Sequence, residues 1–232
     1  MTDLVRVWIV PVDVPPATLA RCRDVLDDSE RARAAAAPSP RDQQSFTVAH
    51  GALRILVARG LETRPAALRW SPGRHGKPGL VPPWSGLHTS LSHSGDMTAV
   101  AISTGRPVGV DIQHLVPGLD TVGLSARFFA PDEAGYVAAG RDASVRADRF
   151  AHLWVRKEAA VKAAGGRLWA NLDIAVRNRD VVRCTEPASA HRVADITAPV
   201  RFRAAVALTG TAPFVVAAAA WPEEETAPTL VS

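Results

Sequence analysis

At 232 residues the chain can bury a sizeable core, as one large domain or two small ones. Hydrophobic residues make up 47% and charged residues 22%, the balance of a soluble globular protein. The net charge of +4 leans towards acidic or phosphate-bearing partners but falls short of what nucleic-acid binding asks for.

Val5–Val10 alternates in character and reads as a first strand. Pro15–Asp28 reads as a helix, and Asp42–Arg59 as a longer one with Phe46, Leu53, Leu56 and Val57 near helical spacing. Trp70–Trp84, rich in Gly and Pro, reads as an irregular loop. Met97–Ser103 and Val108–Ile112 are the next strands, with a turn at 104–107 between them. Pro131–Ala139 and Ser144–Gly165 read as helices, then Leu172–Arg179, Val200–Leu208 and Phe214–Trp221 as strands. The pattern is α/β (α+β) in two halves that divide near Gly105, giving lobes 1–105 and 106–222 and a flexible tail 223–232. Cys22 and Cys184 form no pattern, so neither a disulfide framework nor a zinc site is expected. The N-terminus lacks a signal-peptide plan, and no apolar run reaches transmembrane length. The expectation is a cytoplasmic protein that uses neither nucleic acid nor membrane.

Two segments carry the chemistry. In an extended Val108–Gln113, Val108, Val110 and Ile112 point one way, and Gly109, Asp111 and Gln113 the other. Asp111 is then either a solvated strand end or a site acid. On the helix, Phe150, Trp154, Glu158, Val161 and Gly165 share one stripe. A glutamate in line with apolar residues is costly unless a cation compensates it. One reading is a surface Glu158–Lys162 pair, worth a few tenths of a kcal/mol. The other is that Glu158 shares a hard cation with Asp111 while Lys157 and Lys162 hold phosphate. Mg²⁺ suits that plan, since it takes one or two carboxylates, phosphate oxygens and waters. The chain has only three lysines, Lys77, Lys157 and Lys162, among 27 basic residues. Two of the three lie on this helix, where a compact ammonium differs from an arginine fork. The segment 88–96 lacks a nucleophile elbow. It reads either as a turn bonding its own backbone or as a His and hydroxyl phosphate site.

Gly76-Lys77-Pro78, Ser90-Leu91-Ser92-His93-Ser94-Gly95, Gly109-Val110-Asp111-Ile112-Gln113, Arg127-Phe128-Phe129-Ala130-Pro131-Asp132-Glu133 and Trp154-x-x-Lys157-Glu158-Ala159-x-x-Lys162 occur in this order. The set resembles the 4′-phosphopantetheinyl transferase superfamily, in its monomeric, two-lobed type that activates peptide and polyketide synthases. The resemblance covers about Glu30 to Gly165. It implies two similar lobes, each a small sheet with a long helix, related by a pseudo-twofold and holding coenzyme A between them. It implies transfer of the phosphopantetheine arm of CoA to a serine of an apo acyl or peptidyl carrier protein, releasing 3′,5′-ADP. By position, Asp111 and Glu158 would bind Mg²⁺, and Glu158 would also help deprotonate the carrier serine. Lys157 and Lys162 would hold phosphate oxygens. Lys77, Ser92 and His93 would line the CoA site, and Arg31 would reach the 3′-phosphate.

The chain departs from the family pattern at Gln113, where many members carry a third carboxylate. A neutral amide there would touch the metal through water. Ser90 replaces a common Asn, and segment 33–40 lacks the usual basic run. Two other classes fit the same residues: a different Mg²⁺-dependent phosphate-transfer enzyme, and a non-catalytic homologue that binds CoA or carriers.

Overall fold

A computed structural model of the chain describes residues 2–73, 76–116 and 118–222. Its first strand, β1 (Asp3–Pro11), buries residues of both faces. Val5 and Val7 join one apolar cluster, and Trp8 and Val10 another. Such a strand belongs in the middle of a sheet covered on both sides. The helices α1 (Pro16–Asp24), α2 (Asp28–Ala35) and α3 (Pro40–Gly60) follow, and α3 buries Val48, Ala52, Leu56 and Val57 against the outer face. The first helix ends at Asp24, short of the expected Asp28. Asp27 accepts from the Glu30 N–H and Glu30 from the Asp27 N–H, a capping box that starts a new helix where the sequence reading has the first one end.

Trp70–Trp84 is more regular than its composition suggests. β2 (Trp70–Pro72) and β3 (Pro78–Leu80) pair antiparallel within it. β4 (His88–Ser94) and β5 (Met97–Ser103) form a hairpin whose turn uses Gly95 at φ +59°. Segment 88–94 is thus a strand rather than a turn. β6 (Val108–His114) opens the second half, followed by α4 (Thr121–Phe128), α5 (Pro131–Ala138) and α6 (Ala143–Ala164). β7 (Val181–Thr185), β8 (Ala188–Ile196), β9 (Phe202–Thr209) and β10 (Phe214–Ala220) complete the chain.

The first sheet runs β10-β1-β5-β4 and the second β6-β9-β8-β7. Their inner faces meet in one apolar cluster, with Val5, Val7, Ala99 and Ala101 from one side and Val108, Val110, Ile112, Val206 and Leu208 from the other. The layers are therefore α3, first sheet, second sheet, α6, a mixed α/β architecture. Cys22 and Cys184 are buried in the first and second halves, and burial pushes both thiols up to about 11.

Two expectations about organisation are corrected. The chain does not stay in its second half to residue 222: β10 pairs in parallel with β1, completing the first sheet. Leu172–Arg179 is no strand. Its backbone is satisfied by side chains: Glu133 accepts from the Val176 and Arg177 N–H groups at 2.6 and 2.8 Å, and Arg156 donates to the Val176 and Arg179 carbonyls. No ladder is left for a neighbouring strand to complete. The tail assigned to 223–232 lies outside the described residues.

Candidate active site

The site forms where α6 comes closest to β6, and Gly109 permits the approach. A Cβ at Gly109 would overlap the Ala159 carbonyl oxygen and the Ala163 nitrogen. With Gly109 facing α6, strand alternation turns Asp111 towards the helix as well, while Val108, Val110 and Ile112 face the other sheet. The helix brings Glu158 and Lys162, one turn apart, to the same place. α6 then ends at Gly165, whose φ of +63° is the left-handed cap that glycine adopts without strain.

Asp111 is 4% exposed. Its Oδ1 accepts from Lys162 Nζ at 2.7 Å and from Ser92 Oγ at 2.5 Å. Its Oδ2 is buried and has no hydrogen-bond partner among the described residues. Burial raises the Asp111 pKa, against the pull of Lys162, Ser92 and the Ile112 backbone N–H. Glu158 is pushed up to about 7, first by burial and then by the charge of Asp111, with Lys162 opposing. Two acids thus face one lysine. The arrangement is short of positive charge and has an oxygen to spare.

That donor set fits a divalent cation held by oxygen. Among the described residues no third His, Cys, Asp or Glu joins the two acids. A hard ion that keeps waters and takes phosphate oxygens needs only one or two carboxylates, whereas zinc sites typically gather three or four protein ligands.

The remaining expected residues divide. Lys77 lies beside the cluster, its Nζ donating to the Val108 carbonyl at 2.8 Å and its chain against Gly165. It lines a cavity of about 280 Å³ with Ser71, His88, Thr89 and Gly165, and burial lowers its pKa to about 8. Gln113 is half-buried and its amide donates to the His114 carbonyl at 3.0 Å. His93 is exposed, and alternation along β4 places it on the face opposite Ser92. Arg31, on α2, donates to the Leu26 carbonyl and pairs with Asp28 at 2.7 Å. Ser92 is buried, and its hydroxyl is committed to Asp111 rather than lying open to a ligand.

Lys157 is the clear correction. It is adjacent to Glu158 in sequence but a third of a turn away on the helix. Its ammonium is wholly buried, bound to Glu133 Oε2 at 2.6 Å, to the Ile174 carbonyl, and over the Phe129 ring at 4.6 Å. It has no face left for a phosphate. Glu133 in turn ties α5 to α6 and to residues 174–177. This pair is a scaffold that sequence reasoning missed, although Glu133 and Lys157 both lie in the motifs it singled out.

Comparison with known proteins gives a consistent result. Residues 107–219 match the family model described as the 4′-phosphopantetheinyl transferase superfamily. A Synechocystis sp. protein that carries the transferase name provisionally is 32% identical over 183 residues, 77% of this chain and 72% of the relative. The 4′-phosphopantetheinyl transferase HetI of a Nostoc species is 32% identical over 167 residues, 71% of this chain and 70% of its own. The 4′-phosphopantetheinyl transferase Sfp of Bacillus subtilis is 31% identical over 121 residues, 52% of each chain.

Proposed function

The chain belongs to the 4′-phosphopantetheinyl transferase superfamily, and we propose on that footing that the Asp111, Glu158 and Lys162 cluster is its transfer site. As a transferase of this family it moves the phosphopantetheine arm of CoA onto a serine of an apo carrier protein. The serine oxygen forms a bond to the phosphorus on the pantetheine side of the pyrophosphate. The bridging P–O bond breaks, and 3′,5′-ADP leaves.

The observation that carries the assignment is the buried acid pair with one unpartnered oxygen. Asp111 and Glu158 would hold Mg²⁺, which when bound neutralises charge on the pyrophosphate. Lys162, 29% exposed and on Asp111, has donors to spare for a phosphate oxygen. Glu158 would accept the serine proton, directly or through water; burial and the Asp111 charge raise its carboxyl to about 7 in the metal-free protein. Lys77 and its cavity face the same end of α6 and suit the CoA phosphates. His93 and Arg31, on the first half, would serve the adenylate end. Gln113 would act through water. Positioning and charge neutralisation suffice here, since phosphoryl transfer needs little covalent help from a protein.

The carrier would dock along the flank of α6, towards its start. A groove of about 410 Å³ lies between the segment after β6 and the start of α6, lined by Leu115, Val116, Leu119, Val122 and Arg146. Val116, Leu119 and Val122 are 42, 41 and 37% exposed. Leu124, on α4, packs instead against the apolar cluster of α6 and the second sheet. We read the enzyme as a monomer, because both halves of the cavity beside Lys77 come from one chain, and by family resemblance as a cytoplasmic protein serving synthases of secondary metabolism.

The test is incubation with CoA, Mg²⁺ and a panel of apo carriers, reading the mass gain of the carrier. Asp111→Ala and Glu158→Ala should abolish the gain, as should chelation. Full activity of either variant at saturating Mg²⁺ refutes the site. Phosphate release without carrier modification would instead indicate a different phosphate-transfer reaction.

A further inference from the structure

The edge of β6 that faces β4 has no strand beside it among the described residues, because β6 ends the second sheet and β4 ends the first. Two of its N–H groups are nevertheless met from β4. The Val110 N–H donates to Ser90 Oγ and the His114 N–H to Ser94 Oγ, each at 3.0 Å. Side chains at 90, 92 and 94 point to one face of β4, so three hydroxyls form a row along the seam between the sheets. The outer two accept. The middle one, Ser92, donates to Oδ1 of Asp111 at 2.5 Å and is 6% exposed.

That difference in role has a consequence. The outer serines fix β4 against β6 on both sides of Ser92, so its hydroxyl has a set reach and a set partner. The terminal torsion of an aspartate is broad and nearly two-fold. Ser92 and Lys162 both bind Oδ1, which leaves Oδ2 as the oxygen without a partner. Without Ser92, the only side chain left to hold the carboxylate is one ammonium on a partly exposed chain, beside the neighbouring Ile112 backbone N–H.

We propose that Ser92 is a positioning residue for the transfer, its hydroxyl holding Asp111 so that Oδ2 is presented to the cation and the phosphate. The proposal rests on the transfer-site reading above. It reassigns Ser92 from contacting CoA to orienting a residue that contacts the reacting group.

Mn²⁺ binding by electron paramagnetic resonance, on the full chain without CoA, separates these roles from activity. A hydrogen bond to a charged group is worth enough to shift binding about tenfold when lost. Ser92→Ala should therefore weaken Mn²⁺ binding about tenfold and lower kcat comparably, with KM for CoA within about twofold of wild type. Ser92→Thr keeps the hydroxyl and should restore both. Ser90→Ala should lower the thermal midpoint and leave Mn²⁺ affinity unchanged, showing that loosening the seam is not enough. Unchanged Mn²⁺ affinity and kcat in Ser92→Ala overturns the proposal. So does a raised KM for CoA with unchanged Mn²⁺ affinity, which would place the hydroxyl on CoA. A wild-type chain that neither binds Mn²⁺ nor modifies a carrier overturns the transfer-site reading itself, and this inference with it.

Discussion

Glu158→Gln should make the metal-free protein more stable above neutral pH, because it removes a buried charge that the fold tolerates for another purpose. The Glu158 carboxyl is raised from an ordinary 4.5 to about 7. Between those values the folded state binds more protons than the unfolded state, so the stability of the wild type falls as pH rises through that window. Below about 4.5 the carboxyl is protonated in both states and the loss is absent; above about 7 it is complete. At about 1.4 kcal/mol per pKa unit the loss is about 3 kcal/mol. For a chain of this size that is roughly 6–12 °C in thermal midpoint. The assay is thermal unfolding of wild type and Glu158→Gln in chelator, from pH 4 to pH 8. The difference between the two proteins is the useful quantity, because titrations of groups remote from the Asp111–Glu158 pair cancel in it. His191, for example, is held neutral by burial to about pH 4 and contributes a slope of opposite sign to both. The two curves should meet near pH 4 and diverge by pH 7, with the variant above. Mg²⁺ at pH 8 should raise the wild type and leave the variant where it was. Parallel curves across the range would refute the reasoning and leave Glu158 an ordinary solvated acid.

Four further outcomes follow, three from packing and one from the docking groove. Lys157→Met should destabilise the fold by about 3–5 kcal/mol in urea unfolding, by stranding the buried Glu133 charge, whereas Lys162→Met should cost less, because Asp111 with its raised pKa can take up a proton, and should abolish transfer; near-wild-type stability of Lys157→Met with lost CoA binding would return Lys157 to the phosphate. Gly109→Ala should lower kcat at least tenfold and destabilise by about 1–3 kcal/mol, because α6 must move off β6. Gly135→Ala, with open space at its Cβ, should be neutral or stabilising in unfolding and activity assays. Leu119→Asp should raise KM for the carrier and spare KM for CoA, and rising salt should do the same if positive charge such as Arg146 rims the groove; a carrier KM indifferent to both would move docking elsewhere on the cleft rim.

Local periodicity carried much of this architecture. Alternation in 108–113 is enough to separate Asp111 from Val110 and Ile112, and a one-turn spacing is enough to unite Glu158 with Lys162. What it could not carry is any fact that depends on a distant partner. The last strand is as apolar in the sequence as any other, and nothing in it says that it pairs with β1. Leu172–Arg179 has strand composition, yet Glu133 and Arg156 take its backbone groups first. The serines of β4 look like a turn bonding its own backbone because their acceptor and donor roles lie on β6, about 20 residues away.

Lys157 and Glu158 show why adjacency misleads. Consecutive helix positions differ by about 100°, so neighbours in sequence face different surroundings. Glu158 faces β6 and an acid, which raises its carboxyl and leaves it short of positive charge. Lys157 faces α5 and a matched carboxylate with 0% exposure on either side. A buried ion pair of that kind commonly adds little net stability over apolar packing, but breaking it is expensive. Its presence beside the site therefore makes sense as a positional constraint. Glu133 binds Lys157 on α6 and two N–H groups of 174–177, so α6 cannot slide or rotate without breaking several buried bonds at once. Gly109 sets how close the helix comes to β6, and the Glu133–Lys157 pair sets its rotation. Together they determine where Glu158 and Lys162 meet Asp111.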